Sequence, residues 1–97
     1  MSIDSDEDDA RLVRPDGLAV RSLRHARGWS PRDLATAITD AHLTATGLSI
    51  RVAPRVLNAI EERNALVSFE TLRVIAAGLD CNPVELVLED PPATIRH

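Results

Sequence analysis

The chain has 97 residues, of which 44% are hydrophobic and two, Trp29 and Phe69, are aromatic, so it allows one small domain with a mostly aliphatic core. Its net charge of −4 hides a division: residues 1–10 hold five acids and no base, residues 11–73 hold ten arginines against six acids, and residues 74–97 hold four acids against Arg96. No apolar run is long enough to span a membrane, the acidic start is the opposite of a secretion signal, and the lone Cys81 excludes a disulfide framework or a cysteine metal cluster, so the expected compartment is the cytoplasm.

Residues 1–14 read as a disordered acidic tail, with Leu12 and Val13 placed to anchor its end. A folded domain is expected over 15–90 and a flexible tail over 91–97. Pro15-Asp16 opens the first helix, about Gly17 to Arg27, with Asp16 as the cap and Gly28 as the stop. Its buried stripe is Ala19, Val20, Leu23 and Ala26. Arg21, Arg24 and Arg27 recur at a spacing of three as a cationic ridge.

Ser30-Pro31-Arg32-Asp33 is a second helix start, with a capping serine, proline at the first position and an acid three residues after the cap. Leu34, Ile38, Ala41 and Ala45 follow at helical spacing toward Gly47. Residues 48–52 alternate apolar and polar, which suits either a strand paired with 42–45 or an extended connector, the reading preferred here.

Pro54 to Asn64 is the stretch the rest of the chain is built to hold. Leu57 and Ile60, three apart, form the inner face of a helix, and Ala53 and Val56 extend that stripe backwards. Pro54 suits the first helical position. Arg55 and Asn58 lie one turn apart on the outer face. In the major groove of DNA an arginine makes paired hydrogen bonds to guanine and an asparagine to adenine. The plain alternative is an amphipathic helix whose outer residues meet only water.

Ser68 caps a fourth helix from Phe69 to Ala77, with Phe69, Leu72, Ile75 and Ala76 inward and Gly78 as its stop. Asn82-Pro83-Val84-Glu85 repeats the start signal for a last short helix closed by Leu86 and Val87 and stopped at Asp90-Pro91-Pro92. His25, His42 and His97 lie far apart without ligand spacing, and there is no glycine-rich phosphate loop. No catalytic residue, metal, cofactor or small-molecule ligand is therefore expected.

The order of residues resembles the Cro/CI-type helix-turn-helix family, also called XRE. The first two helices of that family share a pattern matched here by Val20-Arg21-Ser22-Leu23-Arg24, Gly28-Trp29-Ser30 and Leu34-Ala35. The end of its third helix is matched by Leu57-Asn58-Ala59-Ile60-Glu61, and its last part by Ser68, Leu72, Ile75-Ala76, Leu79 and Leu86. The match covers about Gly17 to Leu88, and the combination rather than any one part is specific. It implies an all-α fold, a compact five-helix bundle of the lambda-repressor-like type, with an extended connection before the recognition helix.

The resemblance implies a sequence-specific double-stranded DNA-binding transcriptional regulator, a repressor of phage or antitoxin type, whose third helix enters the major groove. Arg55 and Asn58, with Pro54, are then the candidate base contacts. Arg32 and Arg51 are the candidate phosphate contacts, with Arg21 or Arg24 as secondary ones. In the family a first-helix arginine often pairs with an acid, which implies a structural pair of Arg24 and Glu61. Many members bind palindromic sites as dimers, so a homodimer is open. Three departures stand out. The chain between Leu34 and Glu61 is longer than the family pattern. Pro31 and Ala53-Pro54 replace polar helix starts, and Arg63-Asn64 replaces a common glycine turn. They motivate the alternative, a protein-interaction module on the same scaffold that no longer reads DNA.

Overall fold

Three of the four helices among the described residues begin where a side chain accepts from an N–H of the first turn; the helix at Pro54 has no such cap. The computed structural model describes residues 11–88, so the first ten residues of the tail expected over 1–14, and the whole of the tail expected over 91–97, lie outside the described residues. Helix α1, Gly17–Ala26, starts at Asp16, whose carboxylate accepts from the Ala19 N–H. Helix α2, Pro31–Thr46, starts at a complete capping box: Ser30 Oγ accepts from the Asp33 N–H, and Asp33 accepts in return from the Ser30 N–H. Helix α3 is Pro54–Arg63, and helix α4, Phe69–Leu79, is capped by Ser68.

Two short strands complete the fold. Leu12–Val13 (β1) pairs antiparallel with Val67–Ser68 (β2), placing Leu12 opposite Ser68 and Val13 opposite Val67. Residues 12 and 13, which fall inside the tail expected over 1–14, are thus paired in the sheet. Beyond β1 the extended chain carries a bridge from Pro15 to Val87, and Arg14 accepts from the Leu88 N–H. No helix among the described residues is long and apolar enough to cross a membrane.

The expected five-helix bundle is not found: the described residues form four α-helices and a small two-stranded sheet. The segment expected to be the fifth helix makes only one 3₁₀ turn, Pro83–Leu86. Asn82 caps it as foreseen, but Leu86 and Leu88 are committed to backbone pairing with residues 14–16, which requires extended chain from Val87 onward. So short a helix also has too few hydrogen bonds to offset its nucleation. Gly78 does not end α4. It lies inside the helix, where its missing side chain lets Ile38 of α2 approach, and the stop is Asp80 in the left-handed region at φ 58°. The connection 48–53 is an extended connector, as preferred. Residues 42–45 are helical and cannot form a hairpin with it, and Thr39 Oγ1 donates to the Ile50 carbonyl at 2.8 Å.

The core draws on every helix. Val20, Leu34, Ile38, Leu57, Ile60, Leu72, Ile75, Leu79 and Leu86 are fully buried. It holds α3 by one face and leaves the other to solvent.

Candidate nucleic-acid interface

Helix α3 is anchored from behind. Leu57 and Ile60 enter the core, and Glu61 on the same face is buried against α1. Arg24 grips this carboxylate with two parallel bonds of 2.7 Å, from Nε to Oε2 and from Nη2 to Oε1. Its remaining Nη1 donates to the Trp29 carbonyl at 2.7 Å. Arg21 adds a longer bond from Nε to Glu61 Oε1 at 3.3 Å. The hydrogen bond from Arg24 holds the Glu61 carboxyl below the ordinary glutamate range, against the opposing effect of burial, and the same bond raises Arg24.

The pairing of Arg24 with Glu61 is therefore present. A phosphate role for Arg24 is corrected by the same geometry: the residue is 8% exposed and its guanidinium is occupied by Glu61 and Trp29. Arg27, the third member of the expected ridge, lies over the Trp29 ring and donates to the Leu79 carbonyl. Arg21 keeps 41% of its side chain exposed and remains a candidate beside α3.

A pH dependence follows. Unfolded, Glu61 takes up its proton near the ordinary value of 4.5; folded, it does so only at lower pH. The stability it contributes is complete above that ordinary value and is lost as pH falls through the depressed one. Urea midpoints measured through the acid range are expected to fall there, and Glu61→Gln should remove that part of the slope. An unchanged slope in the variant would refute the assignment.

The outward face of α3 carries Arg55, Asn58, Glu62 and Arg63, all exposed. Val56 is half-buried and packs against the core, so it is not turned toward a partner. Pro54 occupies the first helical position and Ala53 supplies no side-chain cap. Pro54 has no N–H to satisfy, the Val56 N–H donates to the Ala53 carbonyl at 2.9 Å, and the Arg55 N–H receives no side-chain cap.

Arg32 and Arg51 are both exposed, and they come together where sequence spacing alone could not place them. They line one cleft of about 490 Å³ with Thr36, Thr39, Asp40, Val52 and Pro54. The cleft lies between α2 and the chain entering α3, so two guanidinium groups flank the start of that helix. Pro54 belongs to the cleft wall and is half-buried. The sequence reading overlooked Thr36 and Asp40. Their signal was available: Arg32, Thr36 and Asp40 recur every four residues along one face of α2. Asp40 and Glu62 put negative charge at or beside an otherwise cationic surface.

Asn64 was also missed as a structural residue. It ends α3 in the left-handed region at φ 52°, which asparagine tolerates better than most residues. Its Oδ1 accepts from the Gly17 N–H at 2.8 Å, and its carbonyl accepts from Arg14 Nη1 at 3.1 Å. The residue that replaces a glycine turn thus joins the end of α3 to the start of α1. Among the described residues no group of three or more His, Cys, Asp or Glu is placed to hold a metal ion. Comparison of the chain with protein-family models, with curated proteins and with solved structures finds no match in any of the three.

Proposed function

We propose that this chain is a cytoplasmic, sequence-specific double-stranded DNA-binding transcriptional regulator, without enzymatic activity, that reads the major groove with α3. One observation carries the reading: Arg55 and Asn58 stand exposed one turn apart on a helix whose opposite face is fixed by Leu57, Ile60 and the Arg24–Glu61 pair. Arg32 and Arg51 beside the helix start supply the phosphate contacts that set its register, with Arg21 as a further candidate. The net negative charge is no obstacle, because the cations are concentrated in residues 11–73. The resemblance to Cro/CI-type repressors supports the same reading and favours a repressor of phage or antitoxin type.

Selection of bound sites from random duplex DNA, followed by titration at two salt concentrations, tests it. Arg55→Ala is expected to weaken the selected site by about 1–3 kcal/mol, roughly 5- to 150-fold, and to relax preference at one base pair. Arg51→Ala is expected to weaken all sequences alike and to lower the salt slope by about one. If the wild-type chain selects no sequence and does not bind at low salt, the DNA reading fails. The second reading, a protein-interaction module, would then stand. It is favoured by Asp40 and Glu62, which would repel phosphates where they lie.

A further inference from the structure

The cleft beside the start of α3 carries one group that contact with DNA does not account for. Arg32 and Arg51 suit a phosphate, but Asp40 in the same lining opposes one. Among the described residues, none of these three side chains forms an ion pair or a side-chain hydrogen bond with the protein. The cleft thus holds charge of both signs, and the two signs do not satisfy each other. The surface between them is apolar, contributed by Ala35 of α2 and by Val52, Ala53 and Pro54 of the chain entering α3. It is also fixed in place: Val52 is 7% exposed and belongs to the core, and Thr39 Oγ1 holds the Ile50 carbonyl. At about 490 Å³ the cleft has the volume of a small-molecule site, which takes about 300–1,000 Å³.

The charges select the ligand. A phosphate or a simple carboxylate meets the arginines but leaves Asp40 facing a like charge. An amine meets Asp40 but leaves both arginines unmet. A molecule with one carboxylate and one ammonium group satisfies all three. Arg32 and Asp40 are eight residues apart on α2, about 12 Å along its axis, so the two signs are spread along the cleft rather than mixed. The apolar wall then receives a hydrocarbon side chain.

We infer that this cleft binds a free α-amino acid with an apolar side chain, its carboxylate on Arg32 and Arg51, its ammonium on Asp40 and its side chain against Val52 and Pro54. Arginine suits the first role because its planar donors match a carboxylate in pairs. The sequence pointed to no small-molecule ligand, because the cleft exists only once residues 51–54 lie against α2. Binding at the cleft does not depend on the DNA reading. Its regulatory consequence does rest on that reading: the ligand occupies the arginines proposed for the phosphates, so ligand and DNA compete.

Leucine and phenylalanine are titrated into the full chain without DNA, and the amide signals are followed by two-dimensional NMR. Shifts are expected at Thr36, Asp40, Arg51 and Val52, and not at Leu12 or Glu70, which lie outside the cleft lining. N-acetyl-leucine, which lacks the ammonium and stands for a peptide end, and leucinamide, which lacks the carboxylate, are expected to bind about two- to fivefold more weakly than leucine, the worth of one exposed ion pair. Glycine, without the side chain, is expected to bind more weakly than leucine as well. Asp40→Asn should remove the preference for leucine over N-acetyl-leucine, and Arg51→Gln should narrow the preference over leucinamide. Both residues are exposed, so neither change touches the core. Absence of shifts with both amino acids up to their solubility overturns the inference. Equal binding of leucine and N-acetyl-leucine, or shifts that fall outside the cleft, overturns it too. A chain that binds leucine but no duplex loses only the DNA reading, and the reverse result loses only this site.

Discussion

Glu61→Ala is expected to be among the most damaging single substitutions in this chain, lowering stability by roughly 3–5 kcal/mol. The cause is the partner left behind. Arg24 is buried, and two of its three bonds go to Glu61. Without the carboxylate its charge remains desolvated beside one carbonyl. A loss of about 3 kcal/mol lowers the melting temperature of a domain this small by roughly 12–24 °C, which a thermal melt resolves at once. The converse experiment removes both charges. Arg24→Met with Glu61→Leu is expected to recover most of the loss, because an apolar pair of similar volume avoids the desolvation cost. If the double variant proves as unstable as Glu61→Ala, the damage comes from lost packing and the electrostatic account fails.

Gly78→Ala should also destabilise the fold, by about 1–3 kcal/mol, although alanine is the better helix former by roughly 1 kcal/mol. A methyl group there would lie 2.6 Å from Ile38 Cγ1, 2.9 Å from its Cα and 3.0 Å from its backbone nitrogen. Two of these three atoms are main chain, so no change of rotamer relieves the crowding. Helices α2 and α4 must move apart, and Ile38 and its fully buried neighbours lose contact. Ile38→Ala in the same chain therefore gives no rescue. Denaturant midpoints of the two single variants and the double variant decide this, and recovery in the double would show that only the isoleucine side chain was in the way. Gly17→Ala meets a similar obstacle, the main chain of α3 at Ile60 and Glu61.

The same glycine shows where sequence reading stops. A glycine that ends a helix and a glycine that lets two helices touch look alike in a single chain, and only the partner, forty residues away, tells them apart. The caps at Asp16, Ser30, Ser68 and Asn82 were legible because each rests on side-chain chemistry within three residues of the bond it makes. The last helix was misjudged for the opposite reason. Its start signal is local, but the demand of residues 14–16 for a pairing partner is not.

On the candidate interface, helical spacing sufficed to put Arg55 and Asn58 outward. It could not bring Arg51 to Arg32, since that meeting depends on how residues 47–53 cross α2. Arg24 was assigned both a structural and a phosphate role because spacing gives the direction of a side chain only relative to its own helix. Contact with Glu61 removes the second role.

The bracket between α1 and α3 has a further consequence for how such a chain can change over generations. The contacts described above that keep α3 in place act on its inner side and its ends, through Val56, Leu57, Ile60, Glu61 and Asn64. Positions 55, 58 and 62 are exposed and carry none of that burden. A library randomised at these three sites should remain folded almost throughout, so new preferences can be sampled there without first acquiring compensating mutations.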